Sequence, residues 1–312
     1  MGRVNFTSLT EFHLLGLIHD HKWNLPLFCI FLVMYIVTVL GNMCMIFLIC
    51  FSFKLQNPMY FFLGHLSFSD LCYSSVITPK LLDHLFSNQT AISYHGCATQ
   101  LFFFGLFVGA ECFLITVMAY DRYVAVCNPL LYLIIMNRGL RRQLVGAAYT
   151  GGLLTSTIHT TCTFQLSFCI SNKVNHFFCD IPPLLQLSCT DTFISELFTF
   201  LLSSVLGSFS AMVILVSYIK IISAILSMKS PEGRQKSFST CFSHLTVVAL
   251  FFGTAIFMYA RPISSYTVQK DKVISLVYTI VIPMLNPIIY SLRNAQVKDA
   301  FMTALYKTVT YK

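Results

Sequence analysis

Long stretches without charged residues alternate with short charged segments along this chain of 312 residues. Each uncharged stretch is near or above the ~20 residues that a helix needs to cross a bilayer, and none shows the alternation over about ten residues that is typical of membrane barrels. A further stretch, 57–79, is interrupted only by His65 and Asp70. The pattern predicts seven helices, at 23–53, 57–80, 95–127, 141–163, 193–226, 236–261 and 271–292.

Composition narrows the class of protein to an integral membrane protein. Hydrophobic residues make up 56% of the chain, charged residues make up 10%, and the mean hydropathy is +0.73. Ordinary globular domains carry roughly 25% charged residues, so these charges are too few to cover a soluble surface. This excludes a two-domain cytosolic enzyme, a disordered chain and a small disulfide scaffold. We predict an all-α seven-helix bundle over 23–292.

The basic residues predict the orientation of the bundle. With the N-terminus outside, the inner segments hold 13 of the 20 Lys and Arg residues, as the positive-inside rule requires. We therefore expect an extracellular tail at 1–22 and a cytoplasmic tail at 293–312. The net charge of +8 is then explained by topology and an anionic inner leaflet, and predicts no nucleic-acid partner.

The cytoplasmic tail carries apolar residues at a helical spacing. Val297, Phe301, Leu305 and Val309 lie four residues apart with lysines between them. This predicts a short amphipathic helix on the inner leaflet, the alternative being a frayed tail. No cysteine follows Cys241, so we expect no palmitoyl anchor here.

Asparagine and cysteine positions agree with this orientation. The tripeptides that begin at Asn5 and Asn88 are glycosylation acceptors, and both lie outside in this arrangement. Four cysteines also lie outside, where oxidation is permitted, and four cysteines allow three pairings. These are Cys97, Cys169, Cys179 and Cys189. The other eight cysteines lie in or at the ends of helices and are interpreted as small buried hydrophobes.

Polar residues within the predicted spans are candidates for chemistry, because burying them in a membrane is costly. Asp70 and Glu111 are the acidic residues away from the ends of these spans, with Asn42 and Asn286 as amide companions. Carboxylates near amide oxygens form a hard-cation site or a proton-sharing pair. The alternative is that they only join helices by hydrogen bonds.

The third predicted helix presents one functional stripe. Phe104, Val108, Glu111 and Arg122 are spaced so that 3.6 residues per turn keep them on one face. We expect Asp121 to pair with Arg122 at the inner end as a resting latch. The alternative is an arginine that extends its charge toward water.

Several motifs occur in order on these helices: Asn57–Tyr60, Met118–Cys127, Ser217–Tyr218, Lys236–Cys241 and Pro283–Tyr290. Together they resemble the vertebrate odorant receptors, a branch of the rhodopsin-like G-protein-coupled receptors. The long second outer loop and the residues around the last helix are similar to those of the class II branch, which is associated mainly with airborne odorants.

The resemblance implies roles for individual residues. Cys97 would bridge to Cys179 and Cys169 to Cys189, and Asp70 and Glu111 would hold a sodium ion, the one cofactor implied. The residues implied in activation and coupling are Asp121, Arg122, Tyr123, Tyr218, Asn286, Pro287 and Tyr290. The implied partner is a stimulatory, olfactory-class G protein, and its activation raises cAMP. The resemblance also implies that the receptor lies in the plasma membrane.

The resemblance also places the odorant pocket between the outer halves of the third, fifth, sixth and seventh helices. Apolar positions there are Phe104, Gly105, Val108, Gly109, Leu202, Leu206, Ala255 and Ile256, and hydroxyl positions are Ser203, Tyr259, Tyr278 and Thr279. This lining predicts a small, volatile, weakly polar ligand. His176 and Asp180 flank Cys179, but a disulfide at Cys179 would leave too few ligands, so we predict no metal site.

Other classes of function find less support in the residues. A seven-helix transporter or channel remains the alternative, although the chain shows no self-similar halves. The uncharged run 273–292 of the last span lacks the lysine that a light sensor would need, and no zinc or nucleophile motif of a membrane enzyme occurs. We therefore predict a receptor and not an enzyme.

Overall fold

The computed structural model describes residues 10–18, 20–228, 230–259, 268–293 and 295–310. Its helices are α1 Asn24–Phe51, α2 Pro58–Ser87, α3 Tyr94–Cys127, α4 Tyr132–Ile135, α5 Arg138–Phe164, α6 Ile181–Leu185, α7 Phe193–Leu226, α8 Pro231–Tyr259, α9 Val268–Leu276, α10 Ile282–Arg293 and α11 Ala295–Thr310. Short 3-10 turns precede α1 and α2 at His21–Trp23 and Phe53–Leu55. The expectation of a helical protein is confirmed.

The second helix is longer than the sequence predicts. It was expected to end at residue 80, after Pro79, but α2 continues to Ser87. Proline removes only one backbone donor and can be carried inside a long helix when tertiary packing supports it. The helix ends at Asn88, which adopts φ = 55°, a left-handed conformation that asparagine tolerates better than most residues.

The last membrane segment is helical from 268 to 293 but not uniform. A π-helical turn, Val277–Val281, joins α9 to α10, and Pro287 lies inside α10. Single π turns are rare and widen a helix locally, often at functional positions. Hydrophobic periodicity does not distinguish such a turn from a regular α-helix, so the sequence did not predict it.

Four segments are long and apolar enough to cross a membrane within the described part of the chain: Asn24–Phe51, Tyr94–Cys127, Phe193–Leu226 and Gln269–Ser291. Large apolar side chains cover their outer faces, as Leu40 and Phe47 do on α1 and Val205 and Leu215 on α7, each more than half exposed. A surface of this kind is stable in lipid and not in water.

The third helix lies at the centre of the bundle, where it contacts α2, α5, α7 and α8. Close packing against α5 depends on glycines. A side chain at Gly109 would meet the Cα atom of Gly152 at 3.0 Å, and one at Gly105 would meet the Ser156 hydroxyl at 2.9 Å. Small residues at such crossings let helix backbones approach within a membrane.

A small sheet covers the end of the bundle where the N-terminal segment lies. Strand β1 (Glu11–Leu14) pairs antiparallel with β2 (Ala91–Ser93) and parallel with β3 (Lys173–Val174). Phe12 and Leu14 of β1 are fully buried beneath it. From the sequence, this segment is expected only to belong to an extracellular tail, because four residues carry too little periodicity to predict a strand.

The C-terminal tail forms the helix that its apolar spacing predicts, α11. Val297 is buried and Phe301 is 43% exposed, so the described side chains present one face to the bundle and one outward. The side chains of Leu305 and Val309 lie outside the described part of the chain.

Candidate functional site

Aromatic rings meet at the outer end of α3. The Phe104 ring lies 5.3 Å from Phe178 of the long loop, 5.9 Å from Tyr278 of the π turn and 6.2 Å from Tyr73 of α2, between ring centroids. Phe104 is 3% exposed. One side chain therefore joins three helical segments and the loop above them.

The long loop is held down onto these helices by covalent and polar contacts. Cys97 at the start of α3 is bonded to Cys179, and Cys169 to Cys189, which is the pairing that the resemblance implies. The Cys179 backbone N–H donates to Gln100 Oε1 at 2.9 Å. Asp180 accepts a hydrogen bond from the Tyr278 hydroxyl at 3.2 Å. The loop thus has a fixed position over the outer half of the bundle.

Two of the four hydroxyls predicted to contact ligand already donate within the protein. Tyr278 donates to Asp180, and Thr279 donates to the Ser275 carbonyl at 2.6 Å. A hydroxyl that donates its proton keeps acceptor lone pairs. In this conformation neither hydroxyl offers its proton to a ligand.

Three of the predicted apolar contacts lie elsewhere. Gly105 and Gly109 face α5, where a side chain would collide with Ser156 or Gly152, so we assign them to helix packing. Ile256 is 59% exposed on the outside of α8, and its spacing alone could not distinguish the lipid face from the inner face. Val108, Leu202, Ser203, Leu206 and Ala255 are half-buried.

Two predicted positions fall where the structure gives no side-chain information. Asn5 and the side chain of Tyr259 lie outside the described part of the chain. Asn88 is exposed, and its side-chain oxygen accepts a hydrogen bond from Asn24 at 3.0 Å. Glycosylation at Asn5 and Asn88 stays a prediction.

Two carboxylates lie together in the middle of the bundle. The Asn286 amide nitrogen lies 2.9 Å from Asp70 Oδ2, 3.1 Å from Asp70 Oδ1 and 3.5 Å from Glu111 Oε1. Tyr73 donates a hydrogen bond to Asp70 at 3.3 Å. Asp70 and Glu111 are fully buried, and Glu111 Oε2 has no hydrogen-bond partner among the described residues. Two buried carboxylates that contact the same amide nitrogen need a shared proton or a cation.

Asn42, expected as a companion of this cluster, has a different role. Its amide donates to the carbonyls of Thr38 and Pro283, at 2.9 and 3.0 Å. Asn42 therefore ties α1 to the beginning of α10, at the Pro283 carbonyl, which has no helical donor because Pro287 four residues later lacks an N–H.

The inner end of α3 carries the motif residues. Asp121 is buried, and its carboxylate accepts a hydrogen bond from Tyr132 of α4 at 2.9 Å. The salt bridges found in the described part of the chain do not include an Asp121–Arg122 pair. The expected pairing is thus not formed, because consecutive helical residues point in directions about 100° apart. Arg122 and Tyr123 are half-buried.

Two tyrosines expected at the inner opening lie inside the bundle. Tyr218 is 5% exposed, and its hydroxyl lies 2.7 Å from His244 Nδ1, while His244 Nε2 lies 3.2 Å from the Ile115 carbonyl. Tyr290 is 9% exposed, and its hydroxyl has no hydrogen-bond partner among the described residues. His244 therefore links α7, α8 and α3.

Sequence reasoning missed His244, Gln100 and Tyr132, and it considered Asp180 only as part of a rejected metal site. The buried histidine lies in an uncharged run and gave a signal, since a polar residue in a span is costly, but it was not singled out. The other three lie at helix ends or in loops, where polar residues are common and no spacing indicates their partners.

Burial of one loop histidine predicts a pH dependence. The His176 ring is fully buried against Phe177 and Phe178, with centroid distances of 4.7 Å. Burial and the positive charge of Lys272 lower its pKa from 6.5 to about 3. The unfolded chain therefore takes up a proton below about pH 6.5 while the folded loop does not, so stability is lost as the pH falls from there.

We expect acidification from pH 7.5 to 5.5 to lower the unfolding temperature of the purified protein. The contribution of this residue is about 1.4 kcal/mol per pH unit below its unfolded pKa. His176→Phe should lose less stability over the same range, and His95→Gln, at an exposed position, should behave as the parent does. Equal losses in the parent and in His176→Phe would show that this histidine is not the cause. Differential scanning fluorimetry makes the comparison.

The comparison with known proteins agrees with this geometry. The family model described as "Olfactory receptor" matches residues 30–308. The chain is 54% identical over 301 residues to human olfactory receptor 9I1, covering 96% of each chain. It is 52% identical over 305 residues to mouse olfactory receptor 5AP2, covering 98% of this chain and 96% of the other.

A match of this extent includes the outer aromatic cluster, the buried carboxylates and the inner end of α3. Members of this family take odorants as ligands and couple to G proteins, and they are not enzymes. The chain therefore belongs to the olfactory receptor family and is a multi-pass, G-protein-coupled membrane receptor of olfaction.

Proposed function

We propose that a small, volatile, weakly polar odorant binds in the outer half of the bundle and shifts the receptor to a state that activates a stimulatory, olfactory-class G protein, raising cAMP. One observation supports this best: α3 runs unbroken from the disulfide at Cys97, through Phe104 and Glu111, to Arg122. A single rigid element thus touches the ligand region, the buried carboxylates and the G-protein side.

We also propose that the receptor lies in the plasma membrane with its N-terminus outside and crosses it seven times. The helices α2, α5 and α8 have 30, 27 and 29 residues. At ~1.5 Å per residue each is about 40 Å long or more, enough for a full crossing. Adding them to the four most apolar segments gives seven, and the excess of inner Lys and Arg supports the orientation.

The chemistry of the outer half narrows the ligand. The rings around Phe104 are apolar, while Thr279 donates its proton to the Ser275 carbonyl and keeps acceptor lone pairs. A neutral ligand with one donor group, such as a small alcohol, fits this set, and a carboxylate would find no positive partner among the predicted contacts. A matched ketone or ether of the same carbon skeleton lacks the donor and should bind less tightly.

A cAMP reporter in cells that display the receptor tests this proposal. The panel pairs volatile alcohols with ketones of equal chain length, and mock-transfected cells give the background. We expect a dose-dependent rise in cAMP for a subset of the alcohols, with weaker responses to the paired ketones. Full surface display with no response above background to any volatile compound would contradict the proposal.

We infer that a sodium ion between Asp70 and Glu111 would complete the polar cluster that these carboxylates form with Asn286 in the middle of the bundle. The unpartnered Glu111 Oε2 and the two Asp70 oxygens supply the hard carboxylate ligands that such a cation prefers. An ion held between α2, α3 and α10 resists separation of these helices, so it would favour the inactive state.

We expect replacement of sodium by choline to increase agonist potency in the parent receptor by about fivefold or more, the usual range of such couplings. Glu111→Gln keeps the shape of the side chain but removes its charge, so its potency should be the same in both salts. Asp83→Asn, exposed on the same helix as Asp70, serves as the matched control. If Glu111→Gln keeps the full sodium response, Glu111 only joins helices.

A further inference from the structure

A crevice lies between α1, α10 and α11, on the side of the bundle away from the odorant region. Its volume is about 270 Å³. Its floor is formed where α1 and α10 approach closely, since a side chain at Gly41 would meet Pro287 Cγ at 3.0 Å. The side chains that define its shape include Cys44, Met45, Leu48, Pro287, Ile288 and Phe301.

The crevice is apolar along its length and charged at one point. Lys298 is the charged residue of its lining and is exposed. The hydroxyl of Ser291, the other polar lining residue, donates to the Ile288 carbonyl of its own helix at 3.4 Å. The deep part of the crevice therefore suits hydrocarbon, and only its edge suits a negative charge.

The mouth of the crevice opens toward lipid. Val37 and Phe301 at its rim are 37% and 43% exposed. The adjoining face of α1 exposes Met43, Phe47 and Phe51, each by more than half. A surface with this much exposed hydrocarbon faces acyl chains, and Lys298 follows directly on the α10 end of the bundle, at the inner leaflet.

We propose that this crevice binds one anionic phospholipid of the inner leaflet, with an acyl chain against Met45, Leu48 and Pro287 and the headgroup accepting a hydrogen bond from Lys298. The charge of Lys298 matches the anionic lipids of that leaflet. The volume is just below the ~300 Å³ at which drug-sized pockets begin, so the crevice holds part of a single acyl chain. Bound lipid would brace α11 against α1 and α10.

The test uses tryptophan fluorescence and brominated lipids in nanodiscs. The chain has one tryptophan, Trp23, which lies at the opposite end of α1, so Trp23→Phe removes the background. Phe301→Trp then places a reporter at the rim, where the aromatic side chain is already partly exposed. Fluorescence is titrated with dibromostearoyl phosphatidylserine and, separately, with the matching phosphatidylcholine.

We expect half-quenching at about a fivefold lower fraction of the serine lipid than of the choline lipid, the preference that one lysine near an anionic surface provides. Lys298→Ala should abolish the preference. Lys220→Ala, an exposed lysine at the inner end of α7, should keep it. Ser291→Leu, which fills the crevice, should weaken quenching by both lipids. A reporter on the outer face of α7, Phe209→Trp, should show no preference.

Several outcomes would overturn the proposal. Equal quenching by the two lipids, or a preference that survives Lys298→Ala, would show that Lys298 does not select the lipid. Loss of the preference when cholesterol is added would indicate that the crevice binds a sterol. A signal that depends on the number of receptors per disc would indicate that a second copy of the receptor occupies it. Native mass spectrometry of the receptor without the reporter gives an independent readout, because Lys298→Ala should retain fewer molecules of phosphatidylserine than Lys220→Ala does.

Discussion

Replacing Arg122 by alanine is expected to reduce agonist-driven cAMP to the level of mock-transfected cells while leaving the receptor on the cell surface. The guanidinium is half-buried at the inner end of α3, near enough for its charge to act on Tyr218, His244 and Tyr290. These side chains come from three other segments, so Arg122 is the charged group around which the inner opening is arranged.

The loss should be specific to this position. Arg142→Ala removes an exposed arginine near the start of α5 and should leave the cAMP response within about twofold of the parent, as surface substitutions usually do. Arg122→Lys keeps the charge without the planar fork of donors and should give a partial response. Surface display is measured by an N-terminal epitope in the same cells. Full signalling by Arg122→Ala would refute its role in coupling.

Replacing Cys97 by serine is expected to abolish delivery to the cell surface. The bond to Cys179 closes a separation of 82 residues, and the bond between Cys169 and Cys189 closes one of 20. On the chain-entropy account these are worth about 4.5 and about 3.3 kcal/mol. Both Cys97 and Cys179 are fully buried, so the loss also leaves polar groups beneath the loop.

Flow cytometry of an N-terminal epitope tests this prediction. Cys97→Ser and Cys179→Ser should give the same loss, because each removes the same bond, while Cys169→Ser should retain more receptor at the surface. Cys50→Ser changes a free, exposed cysteine of α1 and should be delivered normally. Normal delivery of Cys97→Ser would show that the bridge is dispensable for folding.

The sequence predicted the helices better than it predicted the polar contacts between them. Charge-free runs locate the helices because the bilayer imposes a length and a composition on them, and α7 begins and ends as predicted, at 193 and 226. The end of α2 was predicted too early, just after Pro79. A proline disfavours the helix only locally, while packing of the whole helix decides whether it continues.

The residues of the candidate site were likewise predicted only in part. Asp70, Glu111 and Asn286 were singled out because burying them is costly, and the structure brings them together. Gly105, Gly109 and Ile256 were placed in the pocket from helix order alone, but the rotation of a helix depends on its neighbours. The π turn carries Tyr278, whose hydroxyl donates to Asp180 of the distant loop, and local periodicity predicts neither the turn nor this contact.

Guanine-nucleotide exchange on a purified stimulatory heterotrimer tests odorant-driven coupling through Arg122 most directly. The receptor is reconstituted alone with the G protein, and uptake of a non-hydrolysable GTP analogue is followed while an odorant active in the reporter panel is titrated. The account predicts saturable, odorant-dependent exchange that Arg122→Ala abolishes. Folded receptor whose exchange activity does not respond to that odorant, or that by itself carries ions or solutes across vesicles, would contradict it.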